Sequence, residues 1–178
     1  MIRLFVSDLD GTLLNDKGTL DPEFFVLLEK LKEKNILFAV ATGRQVPNVL
    51  ELFASVINDV LIIAENGAYV SYKGEELFTA PIPKEQVKEL IKCTELIPET
   101  AIFLCCKEVG YLNNNSKKMN EIGDFYGVIS KYEEDISLVE DDVLKFAVCN
   151  FINAKTNALP ILKEKFSKLE EIYKNDIP

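Results

Sequence analysis

Two carboxylates stand two positions apart, at Asp8 and Asp10, directly after an apolar run and directly before Gly11. Carboxylates that close repel, and one pKa rises unless a cation sits between them. Either outcome is chemically useful. A hard cation such as Mg2+ takes oxygen ligands and needs few protein contacts. An ionised carboxylate can attack phosphorus and form an aspartyl phosphate. A second, more easily protonated one can give a proton to the leaving oxygen and later take one from water. Gly11 permits a sharp turn, and backbone N–H groups exposed there can hold phosphate oxygens. The plainer reading of Asp-x-Asp-Gly is a strand ending in an Asx-type turn, and the four residues alone do not decide between the two.

Two further pairs bear on the choice. Thr42-Gly43 offers a hydroxyl and a free amide near an expected helix start, which suits a phosphate oxygen. Taken alone it reads more simply as a loop and cap, and Asn66-Gly67 alone reads as a turn. Histidine is absent from the chain. That removes the Ser-His-Asp triad, the Cys-His pair and histidine-ligated zinc, and leaves acid–base work to carboxylates, lysine, tyrosine or water.

These residues need elements to position them. Ile2 to Val6 reads as a fully buried parallel strand. Asp21-Pro22-Glu23 is a helix start, and Phe24, Leu27, Leu28 and Leu31 recur at helical spacing through about Lys34. Ile36 to Ala41 makes a second strand, Pro47 to Val56 a second helix, and Val60 to Ala64 a third strand. This β-α-β-α-β order implies right-handed crossovers and a parallel sheet with helices on its faces. Ligands bind at the carboxyl ends of such strands. Asp8, Thr42 and Asn66 each lie just past one of three successive strand ends, which makes a common site harder to dismiss than any single pair does. Ala68 to Thr79, with Lys73-Gly74 at its turn, reads as a hairpin. Pro81 and Pro83 punctuate a boundary. An α+β segment follows: helices over about Lys84 to Ile97, Lys117 to Phe125 and Lys155 to Tyr173, strands at Ala101 to Cys106, near Tyr111 and at Val143 to Phe151, and an acidic loop around Glu133 to Asp142.

The totals narrow the class. The 178 residues are 48% hydrophobic and 28% charged, ordinary for a globular protein, with a net charge of −9 and no basic block or stripe. That disfavours a nucleic-acid surface. The N-terminal apolar run is too short and too acid-terminated for a signal peptide or membrane span. Cys93, Cys105, Cys106 and Cys149 form no C-x-x-C and read as buried free thiols in a reducing, cytoplasmic setting.

Asp8-Leu9-Asp10-Gly11-Thr12 after a hydrophobic strand resembles the first motif of the haloacid-dehalogenase-like hydrolase superfamily, and Val40-Ala41-Thr42-Gly43-Arg44 its second. Ala64-Glu65-Asn66-Gly67-Ala68, then a hairpin and an inserted α+β segment, is similar to the Cof-type branch with its large cap. The resemblance implies an α/β fold: a Rossmann-like core over residues 1–81 and an α+β cap over 82–178. It implies a Mg2+-dependent phosphatase of small phosphorylated metabolites such as sugar phosphates. Asp8 would be nucleophile and metal ligand. Asp10 would be general acid–base, its backbone carbonyl on the metal. Leu9, Thr42 and Gly43 would hold the phosphoryl group, with Asn66 as a further candidate contact. A phosphomutase that passes the phosphoryl group to a sugar hydroxyl is the sister expectation, and a non-catalytic phosphometabolite-binding protein the expectation from another class.

Two further motifs of that family are not found: a lysine that steadies nucleophile and phosphate, and a strand followed by G-D-x-x-N-D-like acids. Gly123-Asp124 follows the polar, helix-like SKKMNEI and not a buried strand, and Lys145 lies within a cap-like strand and reads as structural. The expectation is therefore a chain that ends inside the cap at Asp176-Ile177-Pro178, leaves core strands without neighbours, and by itself hydrolyses phosphate esters poorly.

Overall fold

The structure, a computed structural model, describes residues 2–114, 116–126 and 128–166. The first half is one five-stranded sheet in the order β1 (Leu4–Ser7), β2 (Leu37–Ala41), β3 (Val60–Ala64), β4 (Tyr69–Tyr72), β5 (Glu75–Thr79). β1, β2 and β3 are parallel, and β4 and β5 return antiparallel. Helix α1 (Pro22–Glu33) connects β1 to β2, and α2 (Val46–Leu52) connects β2 to β3. Asp21 caps α1 by accepting the Glu23 N–H at 2.8 Å, with Pro22 in the first turn. The expected Pro47–Val56 helix is shorter, starting at Val46 and giving way to a tight turn at Ala54–Val56. The β4–β5 turn takes left-handed backbone at Lys73 (φ 55°) and Gly74 (φ 75°), matching the right-handed twist of the hairpin.

Consecutive right-handed crossovers in the order 1-2-3 put both helices on one face of the sheet. Phe24 and Leu28 of α1, Val46 and Val49 of α2, and Phe53 pack there on Phe38 and Val40 of β2 and Val60 and Ile62 of β3. The Phe24 ring meets Phe38 edge-on at 5.3 Å and Phe53 at 5.9 Å. Phe38 is buried in the middle of this cluster. Phe38→Ala is expected to cost about 3–5 kcal/mol, because the rings around it cannot collapse into the space left. Chemical denaturation checks this, and a loss under about 1 kcal/mol would place the core elsewhere.

β1 departs from the fully buried strand expected of it, while agreeing with the expectation of core strands that lack neighbours. Among the described residues it is the edge of the sheet, paired with β2 alone, and Leu4, Phe5 and Val6 are 49%, 48% and 49% exposed. Its apolar composition suits a strand with neighbours on both sides and cover on both faces, which period and hydrophobicity cannot distinguish from an edge.

The second half begins with α3 (Lys84–Thr94) and builds a four-stranded sheet in the order β8 (Ser130–Tyr132), β7 (Gly110–Leu112), β6 (Thr100–Cys106), β9 (Val143–Asn150). β6 is buried along almost its whole length. Ile102, Leu104 and Cys106 face Val87 and Ile91 of α3, while Ala101, Phe103 and Cys105 share a cluster with Met119 of α4 (Lys117–Tyr126). A strand covered on both faces shows no alternation, which is why AIFLCC reads as one apolar run. Gly123-Asp124 lies inside α4, away from any strand end. β8 has no sequence signal of its own. Of the expected Lys155–Tyr173 helix, Ala154–Ala158 is a wide turn, α5 spans Leu159–Lys165, and the part beyond 166 lies outside the described residues, as does Asp176-Ile177-Pro178.

The four cysteines are free, three of them buried and Cys149 half-buried. Burial pushes the Cys106 thiol up to about 12, with the acids Asp141, Glu65 and Asp142 adding to it, so this thiol is inert near neutral pH. Among the described residues no helix is long and apolar enough to cross a membrane.

The halves meet at the start of β9. Val143 packs in the second-half cluster, but Leu144 enters the first-half core. The Gln45 side chain, buried between them, accepts the Ile129 N–H at 3.0 Å and donates to the Ile129 carbonyl at 3.4 Å.

Candidate active site

β1 stops at Ser7, and Asp8 is the first residue past its carboxyl end. Leu9 turns inward, wholly buried, and anchors a turn that closes with the Leu14 N–H on the Leu9 carbonyl at 3.0 Å. Gly11 takes φ +72°, a conformation other residues rarely adopt, and this reverses the chain. Asp8 and Asp10 are both left exposed. Asp8 lines a cleft of about 310 Å³ together with Ala41, Thr42, Gly43, Ile63, Asn66 and Gly67. Four of the six candidate residues, Asp8, Thr42, Gly43 and Asn66, thus border one space at the mouths of three strands.

Asp10 is not in that lining. Its carboxylate is held by Arg44, whose Nη2 donates to Oδ1 at 2.7 Å and Nε to Oδ2 at 3.0 Å, while Nη1 donates to Asn48 Oδ1 at 3.1 Å. Strand alternation would have aimed both acids into one pocket. It does not apply here because the chain past Ser7 is already a turn, with Gly11 left-handed.

The Thr42 and Asn66 loops are stitched into one rigid rim. Thr42 N–H donates to the Ile63 carbonyl at 2.9 Å, Asn66 N–H to the Thr42 carbonyl at 3.1 Å, and Glu65 N–H to the Arg44 carbonyl at 3.1 Å. The turn is strained: Glu65 and Asn66, neither a glycine, take φ 51° and 57°, and Gly67 follows at 95°. Such conformations cost about 1–3 kcal/mol each and persist where surrounding bonds over-determine them. One consequence is that Asn66 Oδ1 lies over Gly43, where any β-carbon would meet it at 2.6 Å. A side chain at position 43 would therefore displace the Asn66 amide from the rim. α2 begins at Val46, three residues past Gly43, and within the loop between them the Arg44 N–H donates to Thr42 Oγ1 at 3.2 Å.

Sequence reading passed over three functional-looking side chains. Arg44 was visible only as the end of a motif. Glu65 is buried, with Lys145 Nζ 2.6 Å from its Oε2. Burial pushes the Glu65 carboxyl above the usual carboxylate range, and the Lys145 charge and hydrogen bond and the Val46 backbone pull it back. Burial alone would lower the Lys145 pKa, but the Cys105 and Glu65 side chains beside it outweigh this, and the ammonium is held protonated. Lys145 Nζ also donates to the Gly43 carbonyl at 2.5 Å. Read as a structural strand residue, Lys145 in fact reaches the rim of the cleft. The available signal was a charge placed inside the apolar run VLKFAV.

Among the described residues no group of three or more histidine, cysteine or acidic side chains is placed to hold a metal ion. The Asp8 carboxylate and the Asp10 carbonyl are hard oxygen donors of the kind Mg2+ takes, and Mg2+ keeps several waters beside one or two protein carboxylates. The Asp10 carboxylate is committed to Arg44.

Residues 5–176 match the family model for haloacid dehalogenase-like hydrolases. The chain belongs to this family. Among its relatives is the 5-amino-6-(5-phospho-D-ribitylamino)uracil phosphatase of Escherichia coli (strain K12), 28% identical over 149 residues, covering 83% of this chain and 55% of the relative. An HMP-PP phosphatase of Klebsiella pneumoniae (strain 342) is 32% identical over 92 residues, covering 51% of this chain and 34% of the relative. These relatives put the chain on the Cof-type branch of the family. The chain spans about half the length, or less, of these two curated relatives. A solved Eubacterium rectale protein superposes with a TM-score of 0.83 at 26% identity, over 94% of this chain and 64% of that one. A Thermotoga maritima protein shares the fold with a TM-score of 0.84 at 24% identity, over 99% of this chain and 67% of that one. The Rossmann-like α/β fold expected of this family member is the observed one.

Proposed function

We propose that the chain carries the nucleophilic side of a Mg2+-dependent phosphomonoesterase acting on small phosphorylated metabolites. The observation that carries the reading is the Asp8 side chain bordering one cleft with Thr42, Gly43 and Asn66. An Asp8 oxygen attacks phosphorus, and the ester P–O bond breaks as the new one forms. Asp10 gives its proton to the leaving oxygen. Water then attacks the same phosphorus, Asp10 takes the proton back, and inorganic phosphate leaves with Asp8 regenerated. Arg44 takes one lone pair of each Asp10 oxygen and fixes the carboxyl group, and the second lone pair of either oxygen is left to carry the proton. Leu9 and Gly43 amides and the Thr42 hydroxyl stabilise the phosphoryl oxygens against a net charge of −9. The chemistry that bound Mg2+ supplies is neutralisation of charge on those oxygens, with the Asp8 carboxylate and Asp10 carbonyl to hold it. Residues 1–81 would form the catalytic core, and 82–178 the cap that selects substrate.

The test is a panel of sugar phosphates and phosphorylated cofactor precursors with Mg2+. The expected result is slow release of inorganic phosphate, because among the described residues Asp8 is the one acid lining the cleft and the Asp10 carboxylate is held by Arg44. Isomerised esters in place of inorganic phosphate would indicate a mutase. The second reading, binding without turnover, is favoured by the Arg44 grip on the Asp10 carboxylate. It predicts saturable binding of a phosphate analogue and no product. Failure of every ester to bind or react would remove the phosphoryl reading altogether.

A further inference from the structure

Lys145 belongs to the second half of the chain, yet its ammonium ends on the first-half rim of the cleft. Its position is well determined: Val143 and Leu144 before it pack into separate apolar clusters, and its side chain is only 24% exposed. Nζ lies against three groups, Glu65 Oε2 at 2.6 Å, the Gly43 carbonyl at 2.5 Å and the Cys105 thiol. A lysine needed only to neutralise buried Glu65 would not require the Gly43 carbonyl.

The Gly43 carbonyl shares a peptide group with the Arg44 N–H, and that N–H donates to Thr42 Oγ1 at 3.2 Å. A cation on a peptide oxygen draws electron density through the delocalised C–N bond and makes the N–H a stronger donor. The Thr42 oxygen, engaged as acceptor, then has its own hydroxyl proton free to donate, and Thr42 lines the cleft beside Asp8. Glu65 holds the ammonium in place from a turn whose left-handed backbone is itself locked to Arg44 and Thr42. The connected sequence runs from Glu65 to Lys145, through the Gly43–Arg44 peptide, to the Thr42 hydroxyl.

We propose that Lys145 is a positioning residue of the cleft: by holding the Gly43 carbonyl it orients the Thr42 hydroxyl toward a bound phosphoryl oxyanion, so that docking of the second half strengthens oxyanion binding in the first. This rests on the reading of the cleft as a phosphoryl site.

The experiment titrates inorganic phosphate with Mg2+ against the 178-residue chain by calorimetry, and records the Arg44 amide proton shift by NMR before phosphate is added. Lys145→Met is expected to weaken phosphate about tenfold, the scale of a charge-assisted hydrogen bond. It is also expected to move the Arg44 amide proton upfield, while Lys145→Arg restores both. Lys145→Met leaves Glu65 buried beside no cation and risks unfolding. Glu65→Gln and the double variant Glu65→Gln/Lys145→Met remove that charge. Glu65→Gln is expected to keep its affinity within about threefold, and the double variant to fold yet bind as weakly as Lys145→Met. A folded double variant that binds phosphate as Glu65→Gln does, with an unmoved Arg44 amide, overturns the proposal. Wild-type chain that binds no phosphate overturns the phosphoryl reading instead, and the amide shift then still reports whether Lys145 polarises the peptide.

Discussion

Asp8→Asn is expected to reduce phosphate-ester turnover by about 10^3-fold or more, because the amide keeps the shape of the carboxylate and loses the nucleophilic oxygen. Asp8 is exposed at a strand mouth and carries no core packing, so the fold is expected to stay within about 0.5 kcal/mol of wild type. The measurement is Mg2+-dependent hydrolysis of p-nitrophenyl phosphate, with mass spectrometry for a phosphoryl adduct on the peptide containing Asp8. The adduct should be present in wild type and missing in the variant. Turnover in the variant at even a tenth of wild type would assign the nucleophile to another group.

The second large effect concerns Arg44. Its guanidinium holds Asp10 by two parallel N–H bonds and is itself held by Asn48. Removing it in Arg44→Ala leaves Asp10 free to rotate, and a proton donor out of line costs about 10^2-fold in kcat, with a smaller change in KM. Arg44→Lys is not expected to rescue, since one ammonium cannot reproduce a planar two-point grip. Steady-state kinetics on both variants separates the roles. Wild-type kcat in Arg44→Lys would mean that charge alone, and not the fork, keeps Asp10 in place.

Much of the first half was legible because its signals are local. An apolar run of four or five residues, a helix with an Asp-Pro start, and Lys73-Gly74 at a hairpin turn each depend on neighbours a few positions away. The site was partly legible for the same reason. Parallel strands put their carboxyl ends side by side, so the residues just past three such ends share a cleft whatever else the chain does. The second half is less legible at β8, a largely exposed strand of three residues, too short to show a period, whose partner β7 lies 20 positions earlier, Gly110 opposite Ser130.

From sequence alone came the α/β class, the three strand-end pairs and the family resemblance, all set by residue types at short spacing. Only the tertiary structure decided that β1 is an exposed edge, that Asp10 belongs to Arg44 and not to the cleft, and that Lys145 reaches the Gly43 carbonyl from across the chain. The physical reason is range. Backbone propensity and hydrophobic period act over a few residues, whereas an edge, an ion pair 34 positions apart and a hydrogen bond spanning 102 exist only once the sheets have packed.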